Sequence, residues 1–155
     1  MRTRAVASVA VAALVLLGTT ACNFIAPQVT MKPYSPSDGT GTTVGDVKVL
    51  NAIVLTEDGE QANLLASVVN DSTSRVQLKL QYESGADKVD KRFTIGAGES
   101  QSIGTADGLD ITLENIDAKP GDLFPVYLQY GNVEGKQLLV PVLDGTLAEY
   151  SEYLP

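Results

Sequence analysis

A chain of 155 residues with 19 acidic and 11 basic side chains carries a net charge of −8 and has no histidine. That balance repels phosphate backbones, and no basic stripe offsets it, so direct nucleic-acid binding is not expected. The lack of histidine removes the usual general base, the Ser-His-Asp relay and the commonest metal ligand, and a single cysteine, Cys22, rules out a disulfide within the chain.

The chain opens on MRTR, with Arg2 and Arg4 and no acid, followed by small and apolar residues over 5–17 broken only by Ser8. A basic start, a short apolar segment and a small-residue exit form the layout of a secretory signal peptide. The apolar run is shorter than the roughly 20 residues a helix needs to cross a bilayer, which makes a permanent span the weaker reading. The exit TTAC at 19–22 resembles the bacterial lipobox, with Thr19 where that pattern prefers leucine. The resemblance implies cleavage between Ala21 and Cys22, a diacylglycerol thioether on Cys22, and often a third acyl chain. Each buried methylene is worth about 0.8 kcal/mol, so one chain holds marginally and two or three hold stably. The other reading is a plain secreted protein with a stray thiol. An odd cysteine in an oxidising compartment calls for an explanation such as lipidation. The expected address is the cell membrane, lipid-anchored, on the extracytoplasmic face. Asn23 follows Cys22, where an Asp would mark inner-membrane retention in some diderm bacteria.

Four segments follow: a lipoprotein signal peptide at 1–21, a lipidated cysteine and flexible spacer at 22–45, a β-sandwich domain at 46–143 and a C-terminal tail at 144–155. Loss of Arg2 and Arg4 with the first segment leaves nine basic and nineteen acidic residues, a charge of −10. The spacer holds three prolines and the run GTGTT. As a flexible coil it reaches roughly 25 Å. Ile25, Val29, Met31 and Tyr34 leave open an arm packed on the domain instead.

From Asp46 the apolar pattern takes period two. In RVQLKLQY, Val76, Leu78, Leu80 and Tyr82 share one face, and Arg75, Gln77, Lys79 and Gln81 share the other, as a half-buried strand requires. DITLE at 110–114 repeats this with Ile111 and Leu113. QLLVPVL puts Leu138, Val140 and Val142 together, and Pro141 marks an edge or a bulge. VKVLNAIVL at 47–55 and ANLLASVVN at 62–70 are apolar on both faces, as in the middle of a sheet. RFTI, SQSI and PVYLQY complete seven or eight strands. Joints such as EDGE, NDSTS, ESGAD, GAGES and KPGD carry turn residues. The pattern predicts an all-β fold, an immunoglobulin-like or cupredoxin-like antiparallel β-sandwich; a small barrel fits the same spacing. EYSEYLP at the end, with Tyr150 and Tyr153, is expected to be a loose tail.

Chemistry is sparse. Zinc sites of the Cys/His type cannot form, and no P-loop or dinucleotide fingerprint occurs. Two carboxylates paired for glycoside hydrolysis would need a groove that these turn-borne acids do not suggest. Asp107 and Asp110 in TADGLD are hard oxygen donors for calcium, though acids in a turn are far more often solvated. Asn70 in NDS fits a glycosylation sequon but is expected to be a turn residue. No catalytic residue, metal or cofactor is expected.

The run PGDLFPVYLQYGNVEGKQLLVPV is similar to the C-terminal half of the periplasmic copper chaperone PCu(A)C family, and VGDVKVLNAIVL is similar to its start. Still more closely, the chain resembles lipidated actinobacterial relatives of that fold, the LpqE-like lipoproteins, over roughly 44–143. The resemblance implies a cupredoxin-like or immunoglobulin-like sandwich. It would place the family's copper-binding His-x-Met pair near GLDITL, where Asp110 and Thr112 stand instead. Soft thioether and imidazole donors select Cu(I), and here they are missing. The expected function is therefore a membrane-anchored, non-catalytic sandwich presenting a binding surface to an envelope protein partner. The alternative is a metal or small-ligand carrier related to the chaperones.

Overall fold

The computed structural model describes residues 3–12 and 37–155. Cys22, Ala21 and most of the expected spacer lie outside the described residues. Residues 3–12 are helical and exposed. No helix among the described residues is long and apolar enough to cross a membrane.

Period-two segments become strands almost where the pattern puts them. Among the described residues these are β1 Thr40–Val44, β2 Val47–Leu55, β3 Gln61–Asn70, β4 Val76–Ser84, β5 Asp87–Ile95, β6 Ser100–Ile103, β7 Thr112–Glu114, β8 Leu123–Tyr130 and β9 Lys136–Leu143. One curled sheet runs in the order β5-β4-β8-β9-β2-β3-β6, with β1 alongside β2 and β7 alongside β3. Folding over at β9, it makes two layers, β5-β4-β8-β9 and β1-β2-β3-β6-β7. The expected all-β sandwich is what forms, with one departure from antiparallel pairing. β2 and β9 are parallel, through Val54↔Val142 and Leu55↔Leu143, so the sheet is mixed. Pro141 has no N–H to give, and it falls just before β9 gains β2 as its second neighbour.

Inward-facing side chains of both layers form the main core. Val76, Leu78, Leu80 and Tyr82 of β4 meet Phe124, Val126 and Leu128 of β8, and Leu138, Val140 and Val142 of β9. Each such side chain contributes about 1.5–3 kcal/mol on burial. Tyr82 and Phe124 pack with ring centroids 6.2 Å apart, tilted by 57°, and the Tyr82 hydroxyl accepts the Glu114 N–H at 3.2 Å. Gly45 has φ +54°, and a Cβ there would strike the Tyr130 hydroxyl. That hydroxyl accepts the Asp46 N–H at 3.0 Å, closing the β1–β2 turn.

Two features differ from the sequence reading. Residues 40–44, within the expected spacer, form strand β1, paired with β2 from Thr40↔Ala52 to Val44↔Val47. Only Val44 of this strand is fully buried, so its apolar signal is a single residue. The C-terminal segment is not loose. After a helical turn at Ala148–Ser151, Tyr150, Tyr153 and Leu154 pack on Ile53, Leu55 and Leu65 to make a second, smaller cluster.

A bulge explains why β2 is apolar on both faces. Asn51 has φ +49°, the β2–β3 register shifts between Leu50 and Ile53, and the extra residue reverses which side chains face inward. Val47 and Val49 point into the sandwich before it, and Ala52 and Val54 after it, which sends Ile53 and Leu55 to the outer face. Both clusters draw their residues from 44–154, so a chain beginning at residue 22 retains every part of the cores.

Candidate functional site

A cleft of about 650 Å³ opens at one end of the sandwich. Its floor is the start of β3, with Gln61 and Asn63. One wall is the turn after β6 and the lead into β7, with Gly104, Thr105, Gly108, Asp110 and Thr112. The other wall is the C-terminal segment, with Glu152, Tyr153 and Leu154. β3 and β7 are held in register by Gln61↔Glu114, Ala62↔Leu113 and Asn63↔Thr112.

Asn63 ties the walls together. Its Nδ2 donates to the Gly104 carbonyl at 3.0 Å and to the Tyr153 carbonyl at 2.8 Å. Both amide hydrogens are thereby used, and its Oδ1 is buried without a hydrogen-bond partner among the described residues. Gly104, at φ +75°, lets the turn close over this amide, because a Cβ would lie 2.8 Å from Asn63 Oδ1 and against the Leu64 carbonyl. The Asp110 carboxylate accepts the Thr112 hydroxyl at 3.4 Å.

The lining contains no lysine or arginine. Its carboxylates are those of Asp110 and Glu152. Glu152, through a hydrogen bond and through repulsion of the phenolate, pushes the Tyr153 phenol above its ordinary value, with burial and Asp107 adding to it. Carboxylates, amides, hydroxyls and backbone carbonyls offer hard oxygen donors. No imidazole or thiol is present anywhere in 37–155. Such a lining can hold a polar ligand by hydrogen bonding.

The residues singled out in the sequence fare differently. Asp110 and Thr112 both line the cleft. Asp107 stands near Tyr153, but no group of three His, Cys, Asp or Glu side chains among the described residues is placed to hold a metal ion. Asn70 is a fully buried turn hub. Its Nδ2 donates to the carbonyls of Ser74 at 2.8 Å and Gly96 at 2.8 Å, and its Oδ1 accepts the Ser72 hydroxyl at 2.7 Å. Cys22 and Ala21 lie outside the described residues. Sequence reasoning missed Asn63, Thr105 and the 152–154 wall. The signal available was a polar Asn63 within an otherwise apolar β3, which needs a partner.

No protein-family model matches the chain, and no curated protein matches it. Solved structures do. The chain resembles the copper-bound PCuAC domain from PmoF2 at 16% identity with a TM-score of 0.53, over 68% of this chain and 98% of that one. It resembles the apo PCuAC domain from PmoF1 at 13% identity with a TM-score of 0.55, over 66% and 98%, and the apo PmoF2 domain at 14% with a TM-score of 0.54, over 70% and 98%. At these identities the likeness establishes the fold alone, a sandwich like that of the PCuAC domains.

Proposed function

We propose that this chain is a membrane-anchored bacterial lipoprotein. A signal peptide is removed before Cys22, acyl chains hold that residue to the extracytoplasmic face, and a non-catalytic β-sandwich presents a binding surface in the cell envelope. The observation that carries the binding role is the end cleft, a recess in which carboxylate, amide and hydroxyl groups stand beside apolar surface. The lone cysteine behind a short apolar run supports the anchor. The test is fatty-acid labelling and membrane fractionation of the full chain. Wild type is expected to carry label and sediment with membranes, and Cys22→Ser to lose the label and leave them. An equally labelled mutant, or unlabelled wild type free in the medium, overturns the anchor.

A second reading is a small-ligand carrier, favoured by one observation. Asp110 and Thr112, which stand where the chaperone resemblance would put its His-x-Met pair, both line the cleft. Hard oxygen groups there disfavour Cu(I) and suit a polar organic ligand. Copper is therefore expected to give no thermal shift. A shift with Cu(I) or Cu(II) that Asp110→Ala removes restores the metal-carrier reading, since a ligand of the native state raises the melting point.

A further inference from the structure

The domain is electrically lopsided. Residues 75–95 and 123–143, which build the β5-β4-β8-β9 layer, hold six basic residues (Arg75, Lys79, Lys88, Lys91, Arg92, Lys136) and four acidic ones. The other described residues from 37 onward hold two basic and fifteen acidic. One layer is therefore net +2, and the rest of the domain is net −13.

The outward face of that layer follows from its register. Leu78, Leu80 and Tyr82 point into the core, so Lys79, Gln81 and Glu83 point out. Lys79 stands opposite Arg92, Gln81 opposite Asp90 and Glu83 opposite Lys88, so the face carries three cations and two acids, a net +1. Two like charges directly across a strand pair are unfavourable when nothing answers them. Arg92 is answered by Asp90 at 2.6 Å, but Lys79 and Lys88 form no ion pair among the described residues. Beside these cations, on β8 and β9, the face turns apolar. Leu123 is 60% exposed, Leu139 50% and Tyr127 37%. Leu123 stands opposite Pro141, and Pro125 opposite Leu139, so the apolar side chains adjoin.

We propose that the outward face of the β5-β4-β8-β9 sheet is a membrane-contacting surface. Lys79, Lys88 and Arg92 meet the phosphates of anionic lipids there, and Leu123, Tyr127 and Leu139 enter the headgroup region. A bilayer is the partner that rewards both halves of the face: basic side chains gain near anionic headgroups, and apolar side chains and a tyrosine gain at the boundary beneath them. A soluble polyanion would use the cations and leave the leucines in water. The fifteen acids of the remaining surface point the same way, since an anionic membrane repels them and so orients the domain. This contact goes beyond the anchor and does not require it.

The test uses the chain from residue 22 with Cys22→Ser, so that no acyl chain contributes. The expected result is co-sedimentation with phosphatidylcholine vesicles containing roughly 30% phosphatidylglycerol, weak sedimentation with pure phosphatidylcholine, and release at about 0.5 M salt. The triple variant Lys79→Glu, Lys88→Glu, Arg92→Glu is expected to lose about tenfold or more of the partitioning. Leu123→Ser with Leu139→Ser is expected to lose a comparable part at unchanged salt sensitivity. Lys88, Arg92, Leu123 and Leu139 are exposed and Lys79 is half-buried, and an unchanged circular dichroism melt confirms the fold of each variant. Absence of binding to anionic vesicles, or a charge-reversed protein that binds like the parent, overturns the proposal. Serine variants that bind like the parent overturn lipid entry and leave only a charged contact. Because acylation plays no part, failure here is separate from failure of the labelling test.

Discussion

The two apolar clusters are closed in different ways. The main core is closed by the sheet itself: strands on both layers point alternate side chains inward, and each closes over the other's. The smaller cluster lies on the outside of β2 and β3, where Ile53, Leu55 and Leu65 would face water but for the C-terminal segment. That cover is held by few polar contacts. Asn63 Nδ2 donates to the Tyr153 carbonyl at 2.8 Å, and the Tyr150 hydroxyl donates to Asp38 at 2.7 Å. The helical turn itself buries no residue fully and has no side-chain N-cap. A sandwich core opens only with the whole domain, whereas a lid of nine residues can open alone.

Breaking the first cluster should have the largest effect. Leu78 is fully buried at the centre of the sandwich. Leu78→Ala is expected to cost about 3 kcal/mol in urea unfolding, with a cavity term added to the lost transfer energy. Truncation after Thr146 removes the lid and is expected to cost about 1–3 kcal/mol. Hydrogen exchange sharpens the contrast: amides of β2 and β3 near Ile53 and Leu65 should speed up, and those of β4 and β8 should not.

A pH titration separates the lid from the core more gently. The hydrogen bond to Asp38, helped by burial and by the Asp38 and Glu149 charges, pushes the Tyr150 phenol up to about 12 from its ordinary 10.0. The folded value is the higher one, so the stabilisation is fully present below pH 10 and fades as pH rises through 12. Melting temperatures from pH 9 to 12 should fall less steeply for Tyr150→Phe than for wild type, and the two curves should converge at the alkaline end. The smallest effect is expected at the Lys48–Asp71 ion pair, whose side chains are 48% and 47% exposed. Lys48→Ala should change unfolding free energy by under about 1 kcal/mol. A larger loss would mean that the sheet surface, and not only its interior, carries stability.

Most of the main core was legible from residue alternation, because a two-residue period reports directly which face is dry. Val76, Leu78, Leu80 and Tyr82 are buried as the pattern required, and so are Leu138, Val140 and Val142. The smaller cluster was half legible. VKVLNAIVL is apolar on both faces, but the cause is a bulge at Asn51 that no periodic template contains. The cover was misread because EYSEYLP is polar in composition. Its apolar members, Tyr150 in the helical turn and Tyr153 and Leu154 just after it, cover the outer face of β2. Of the cleft, the sequence singles out Asp110 and Thr112 but not Asn63, whose role depends on two carbonyls, 41 and 90 residues away in the chain. β1 escaped notice because a strand with one buried residue and a glycine leaves almost no hydrophobic trace.

β1 is paired to β2 alone, and this has a mechanical consequence. Tension drawn through the residues preceding Thr40 would first load the Tyr150–Asp38 hydrogen bond and then the β1–β2 hairpin from its open end, one hydrogen bond at a time, so it should yield at low force. Release of five residues pays out about 17 Å of slack, while β2 stays clamped between β3 and β9. The first strand would thus act as a fuse, giving way before the sandwich feels the pull.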